Sequence, residues 1–217
     1  MNQIKDSLNR GIRDLRVSVT DRCNFRCKYC MPSEIFGPQY KFLPRSEILS
    51  FEEITRIAKV FNCLGAVKLR ITGGEPLLRK DLPVLVKMLC DLGVYEDMAL
   101  TTNGCLLSKY SRDLFDSGLK RITVSLDSLK ESTFKYMNGD FSSVKDVING
   151  IETAKRQGLL VKINMVVQKG INEDQIIPIA EFGNELGINT RFIEFMDTGN
   201  HNQWIEKKVF SAHDILK

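Results

Sequence analysis

Three cysteines, Cys23, Cys27 and Cys30, stand in the stretch "TDRCNFRCKYCMP" at residues 20–32. The spacing C-x3-C-x2-C crowds three soft thiol ligands into one short loop. A closed zinc site takes four Cys or His ligands, usually in C-x2-C pairs. The fourth would have to come from Cys63, Cys90, Cys105, His201 or His213, and none of these makes a second paired motif. A ferredoxin run, C-x2-C-x2-C-x3-C, does not match either. Three thiolates on a [4Fe–4S] cube leave one iron without a protein ligand, open to chelation by a small molecule. Such a cluster is reactive rather than only an electron relay. A zinc or iron–sulfur binding protein without catalysis stays as the alternative.

These cysteines need a frame. Short apolar, β-branched runs at 14–20, 66–73, 97–104, 121–127, 161–167 and 190–196 alternate with helix-like stretches. The first helix opens at Ser50 with Glu53 three residues on, a capping box, and stops at Gly65. Later ones stop at Gly93, Gly118, Gly158 and Gly187. Strands alternating with helices predict a parallel sheet. The cysteine loop follows the first strand directly, at the carboxyl end where parallel α/β folds place their chemistry.

Side-chain alternation narrows the choice of sheet. A doubly wound sheet is covered on both faces, so its strands read as near-continuous apolar runs. Here Leu15, Val17 and Val19 alternate with Arg16, Ser18 and Thr20, and Val67, Leu69 and Ile71 with Lys68, Arg70 and Thr72. Met98 and Leu100 oppose Thr101; Ile122 and Val124 oppose Ser125; Val161 and Ile163 oppose Lys162. One face is apolar and the other polar and net basic. Burying that many polar groups without partners is costly, so the sheet is expected to curl into an open barrel around a polar, anionic ligand. In the last strand Arg191 shares a face with Ile193 and Phe195, against Glu194 and Met196, which leaves the register open.

At 217 residues the chain suits one sizeable domain, and 43% hydrophobic with 27% charged residues is ordinary for a soluble protein. No apolar run approaches the roughly 20 residues of a membrane span, and the start, "MNQIKDSLNRGIRD", lacks the apolar core of a secretory signal. A cytoplasmic location follows, where cysteines serve as thiols or metal ligands. The net charge of +4 is mild and mixed along the chain, which argues against a nucleic-acid partner. Cys63, Cys90 and Cys105 read as buried thiols, His201 and His213 as solvated, and Trp204 as an anchor for the tail.

With Tyr29 before Cys30, the cysteine loop resembles that of the radical S-adenosylmethionine (SAM) enzymes, and "TGGEP" at 72–76 resembles their SAM-binding turn. The resemblance implies a partial (β/α)6 barrel over residues 1–196, followed at 197–217 by the start of a truncated further region. It narrows through "LRVSVTDRCNFRCKYCMP", "LRITGGEPLLRKDL", "LTTNG", "VSLDS", "VKINMVVQKGIN" and "RFIEFMDTGN" to the GTP 3′,8-cyclase family of molybdenum cofactor biosynthesis. It implies that Cys23, Cys27 and Cys30 hold a [4Fe–4S] cluster and that Tyr29, Gly74, Ser125 and Met196 hold SAM, with Glu75 a further acceptor for its ammonium. Arg16, Lys68, Arg70, Thr101 and Lys162 would face GTP.

In that family an electron from the cluster splits SAM, and the 5′-deoxyadenosyl radical takes the ribose 3′ hydrogen of GTP before C3′ bonds to C8. Implied partners are a low-potential electron donor and the next pathway enzyme, cyclic pyranopterin monophosphate synthase, with a homodimer an open option. Another radical SAM enzyme, such as a peptide-modifying one, would share the cluster and SAM residues but need no basic lumen. The family carries a second, C-terminal [4Fe–4S] cluster whose cysteines this sequence lacks. "SAHDILK" stops in the first turns of a helix, and the expectation is a partial chain with partial or no cyclase activity.

Overall fold

The computed structural model describes residues 4–197 and 204–217. The apolar runs form six strands: β1 Asp14–Ser18, β2 Lys68–Thr72, β3 Asp97–Thr102, β4 Arg121–Ser125, β5 Leu160–Val167 and β6 Asn189–Glu194. They pair in sequence order, each parallel to the next, and β1 and β6 are the two edges. The result is an open α/β sheet of six parallel strands.

Its apolar face forms the core. Leu69, Ile71, Leu100, Ile122, Val124, Ile163, Met165 and Val167 are fully buried against helices α1 Phe51–Cys63, α2 Leu82–Asp91, α3 Leu107–Asp116, α5 Val144–Arg156 and α6 Ile176–Glu185. Each fully buried aliphatic side chain contributes about 1.5–3 kcal/mol, which is what holds the opposite, polar face in place. The capping box at α1 is formed: Ser50 Oγ accepts from Glu53 N at 3.1 Å, and Glu53 Oε2 accepts from Ser50 N at 2.7 Å. A second box joins Ser143 and Asp146 at the start of α5.

One helix was not legible beforehand. Helix α4, Glu131–Asn138, buries only Phe134, Met137 and Asn138, and eight residues are too few to display a helical period. It matters because its C-terminal carbonyls, Met137 O and Asn138 O, accept from Lys28 N and Arg26 N, both at 3.0 Å. The tail returns to the barrel: Val209 bridges Gln168, Lys169 N donates to Lys208 O, and Trp204 Nε1 donates to Phe195 O at 3.2 Å. Ser211 then caps the short helix α7, Ala212–Ile215.

Two expectations change. Cys63 is exposed and Cys90 and Cys105 are half-buried, so these thiols are not sealed core residues; Cys63 closes α1 on its outer side. In β6 the register that the sequence left open is continuous: Asn164 stands opposite Arg191 and Val166 opposite Ile193, which puts Arg191 on the polar face. His213 is exposed, and His201 lies outside the described residues.

Candidate active site

The strands' carboxyl ends converge on the cysteine loop, a long irregular segment between β1 and α1. Its root is fixed by backbone. Val19 N donates to Thr72 O, Gly74 N to Thr20 O at 2.7 Å and Glu75 N to Arg22 O at 2.8 Å. This approach explains both glycines. A Cβ on Gly73 would stand 2.6 Å from Thr20 O, and one on Gly74 2.2 Å from Arg22 O. The glycines that the sequence assigns to ligand approach are already demanded by the loop itself.

Glu75 is likewise occupied within the fold. It is 1% exposed; Oε1 accepts from Leu77 N at 3.0 Å and Thr102 Oγ1 at 2.7 Å, and Oε2 from Asn103 N at 2.7 Å. Burial raises its pKa, and these three donors oppose the rise. The carboxylate clasps the turn after β2 to the end of β3, rather than standing free for an ammonium.

Above this root lies a cavity of about 300 Å³ lined by Cys23, Cys27, Cys30 and Gly74 with Phe25, Met31 and Phe36 among its walls. Burial pushes the Cys23 thiol up to about 11 and that of Cys27 well above the usual thiol range, and it raises Cys30 too. Thiolates here require a positively charged group to stand among them. The volume admits a group of several atoms. Among the described residues no three Cys, His, Asp or Glu side chains converge as ligands of a single metal ion. Three soft thiol donors around a cavity of this volume fit a cluster, in which each thiolate meets its own metal.

Tyr29, Ser125 and Met196 do not line that cavity. The Tyr29 hydroxyl donates to Asp127 Oδ2 at 2.7 Å. Ser125 ends β4 on the polar face, beside Asn164. Met196 lies two residues beyond β6 and is 57% exposed. Arg26, inside the loop, donates to Phe36 O, Cys23 O and Phe25 O at 2.7–2.8 Å. A larger cleft of about 750 Å³ on the outer side of the loop, between Arg22, Arg45 and Arg79, holds none of the cysteines.

Below the loop, register arranges the polar face in rows. Arg16 pairs with Arg70, and Ala99 connects that row to Arg121. Thr101, Thr123 and Lys162 form the next row, then Ser125, Asn164 and Arg191. Lys68 lies at the start of β2, between Asp14 and Asp97. Two carboxylates partly neutralise this floor: Asp14 meets Arg70 at 3.6 Å, and Asp97 takes Arg121 through two nitrogens. Among the described residues Arg16, Lys68, Lys162 and Arg191 form no ion pair of their own. The Lys162 ammonium has a lowered pKa, first from desolvation and then from Arg191 and Arg121. Two further carboxylates near the strand ends, Asp127 and Glu194, are used elsewhere: Glu194 accepts from Ala212 N and Asp127 from Tyr29 and Val166 N.

Sequence reasoning brought Arg16, Lys68, Arg70, Thr101 and Lys162 to this face and missed Arg121 and Thr123 as its members. The signal was present, since Arg121 and Thr123 share the parity of Ser125 on one strand.

The radical SAM superfamily model matches residues 17–183. Two curated relatives named GTP 3′,8-cyclase, from Staphylococcus aureus strains Mu3 and bovine RF122, are 52% and 53% identical over 216 residues; both alignments cover 100% of this chain and 64% of the relative. The chain thus spans about two thirds of their length. Among solved structures, Streptococcus suis SuiB bound to S-adenosylmethionine superposes with a TM-score of 0.70 at 20% identity, covering 87% of this chain and 40% of that one. Methylornithine synthase (PylB) gives 0.71 at 14% identity, covering 94% and 60%. At these identities the two likenesses concern the fold alone.

Proposed function

This chain belongs to the radical SAM superfamily, and on that premise we propose that it carries the radical-forming and triphosphate-binding part of a GTP 3′,8-cyclase of molybdenum cofactor biosynthesis. The observation that carries the reading is a cationic sheet face that shares a strand with the three-cysteine cavity: Ser18 lines the cavity, and Arg16, on the same face of β1, pairs with Arg70. In this reading Cys23, Cys27 and Cys30 hold a [4Fe–4S] cluster, which when bound supplies the electron for reductive cleavage of SAM. Tyr29, Gly74, Ser125 and Met196 hold SAM at the rim. Arg16, Lys68, Arg70, Thr101 and Lys162 hold GTP, the arginines by their forked geometry and the lysines as point charges.

The division of labour follows from the rows. Arg16, Arg70 and Lys162 in the lower rows take the triphosphate, which leaves the ribose above them, towards the cysteine end. The walls exclude water and hold two reactants in contact, which is where such a site gains rate. A peptide substrate gives no reason for Arg16, Arg70 and Lys162 on one face. A low-potential donor, the enzyme that consumes the cyclised nucleotide, and a reducing cytoplasmic setting complete the proposal. Among the described residues no helix is long and apolar enough to cross a membrane.

The test is anaerobic reconstitution of the chain, iron and sulfide analysis, and EPR with and without SAM. Incubation with GTP, SAM and dithionite follows, with 5′-deoxyadenosine and cyclised nucleotide quantified by mass spectrometry. The expected result is one SAM-responsive cluster and 5′-deoxyadenosine formation, with little or no cyclised product from this portion. Stoichiometric zinc without iron, or a cluster indifferent to SAM, would overturn the reading.

A further inference from the structure

Asp127 is 1% exposed at the rim where β4 ends. Among the described residues no cation pairs with it. Its Oδ2 accepts from the Tyr29 hydroxyl at 2.7 Å and its Oδ1 from Val166 N at 2.9 Å. Its backbone oxygen accepts from Asn172 Nδ2 at 2.8 Å, and that same amide nitrogen donates to Val166 O at 2.9 Å. Asn172, fully buried, also accepts from Gln168 N through Oδ1. One carboxylate thus sits in a braced frame spanning the ends of β4 and β5, and offers its remaining oxygen to the cysteine loop.

The position of Tyr29 gives this contact its meaning. Residues 20–28 are held by backbone bonds to the glycine turn and to the end of α4, and Arg26 ties three loop carbonyls together. Beyond residue 28, Cys30 N and Met31 N turn back only to Cys27 O. Among the described residues, the Tyr29 hydroxyl supplies the one hydrogen bond from residues 29–31 to the barrel. A buried hydrogen bond to a carboxylate is among the stronger ones, and its acceptor is two residues from Ser125 on the same strand end.

We propose that Asp127 is a positioning residue: through Tyr29 it latches the last turn of the cysteine loop to the strand that bears Ser125, setting the distance between the cluster ligands and the SAM-contacting rim. The proposal rests on reading the three cysteines as cluster ligands. Without the latch the three thiols remain, so cluster assembly survives. What is lost is the placement of the third ligand relative to the rim, and hence SAM affinity.

The geometry also distinguishes substitutions. Asn at 127 can still accept from Val166 N and can present its amide N–H to the phenol oxygen, which accepts as well as donates. Ala can do neither.

The experiment uses the reconstituted chain as wild type, Tyr29→Phe, Asp127→Ala, Asp127→Asn and the Tyr29→Phe/Asp127→Ala double variant. Iron content, the EPR change on SAM addition and the SAM dissociation constant are measured for each. Tyr29→Phe and Asp127→Ala are expected to keep their iron but bind SAM about tenfold more weakly, the loss of one charge-assisted hydrogen bond. Asp127→Asn should stay within about threefold of wild type, and the double variant should be no worse than the weaker single one, because the two residues act as one unit. In the metal-free chain, amide hydrogen exchange at Cys30 and Met31 should be about tenfold faster in Tyr29→Phe. Wild-type SAM affinity in Tyr29→Phe, or losses that add in the double variant, would overturn the latch while leaving the cluster reading intact. A wild-type chain that takes up no iron would overturn both. Should Asp127→Ala fail to fold, Tyr29→Phe alone, which removes a single oxygen, decides through amide exchange at Cys30 and Met31 in the metal-free chain, which a direct Tyr29–SAM contact would leave unchanged.

Discussion

A Cβ on Gly74 would stand 2.2 Å from Arg22 O and 2.5 Å from the Arg22 carbonyl carbon. Neither is the flexible end of a side chain, so relief requires moving the backbone that leads into Cys23. Gly74→Ala is therefore expected to cost about 1–3 kcal/mol, as overpacking does, and also to lower iron retention in reconstitution. Gly93→Ala is the comparison: Gly93 has φ +63° but nothing within 4 Å of an added Cβ, so it should lose some stability and keep its iron. Urea unfolding and iron analysis on both variants check this. Equal iron loss in the two would mean that global destabilisation, not the loop root, is responsible.

Between elements, the Glu75 carboxylate is the joint that aligns β2's turn with the end of β3. All its donors, Leu77 N, Thr102 Oγ1 and Asn103 N, come from the chain. Glu75→Gln keeps the shape but turns an NH2 toward an N–H that needs an acceptor. That leaves a buried donor unsatisfied, and a loss of about 1–3 kcal/mol is expected in urea unfolding. Thr102→Val should cost a similar amount, since Gly104 N, which donates to Thr102 Oγ1 at 3.0 Å, loses its acceptor. Were Glu75→Gln as stable as wild type, the carboxylate would have to be free for a ligand after all. Asn103 extends the joint: its Nδ2 donates to Asn24 Oδ1 at 2.8 Å, and Asn24 in turn donates to Cys105 Sγ at 2.8 Å. Elements β2 and β3 thus grip the cysteine loop from below while α4 holds it from the side.

At the scale of the whole molecule, the barrel gathers charge that the chain as a whole does not show. Net charge is only +4, yet Arg16, Lys68, Arg70, Lys162 and Arg191 face one concave surface with Asp14 and Asp97 as the opposing carboxylates there. A cleft lined by one sign focuses the field and raises the local concentration of a counter-ion. The sign of the pH dependence follows from Lys162, whose ordinary value near 10.5 is lowered by desolvation first and then by Arg191 and Arg121. The lowered value means the fold disfavours the ammonium, a penalty relieved as pH rises through it. A bound triphosphate reverses this by favouring the ammonium. Triphosphate binding should accordingly weaken as pH rises through the lowered Lys162 pKa, below the pH at which an ordinary lysine titrates, with proton uptake on binding. Titration calorimetry in two buffers of different ionisation heat measures it, and Lys162→Met should flatten the profile. A profile unchanged by that substitution would remove Lys162 from the anion site.

Much of this was legible in the chain. Cysteine spacing marked the chemical loop because ligand identity is a property of residue type. Alternation marked the strands and their polar face because side chains on a strand change sides at every residue, so Arg16, Arg70 and Lys162 could be placed before any contact was known. Capping boxes at Ser50 and Ser143 are equally local, since their partners lie three residues away. What only tertiary structure decided are the pairings between distant segments. The demand for glycine at 74 comes from Arg22, the occupation of Glu75 from Thr102 and Asn103, and the partner of Tyr29 from Asp127. No local pattern encodes which carboxylate meets which donor across 27 or 98 residues, because that follows from where β1 to β5 place their carboxyl ends in space.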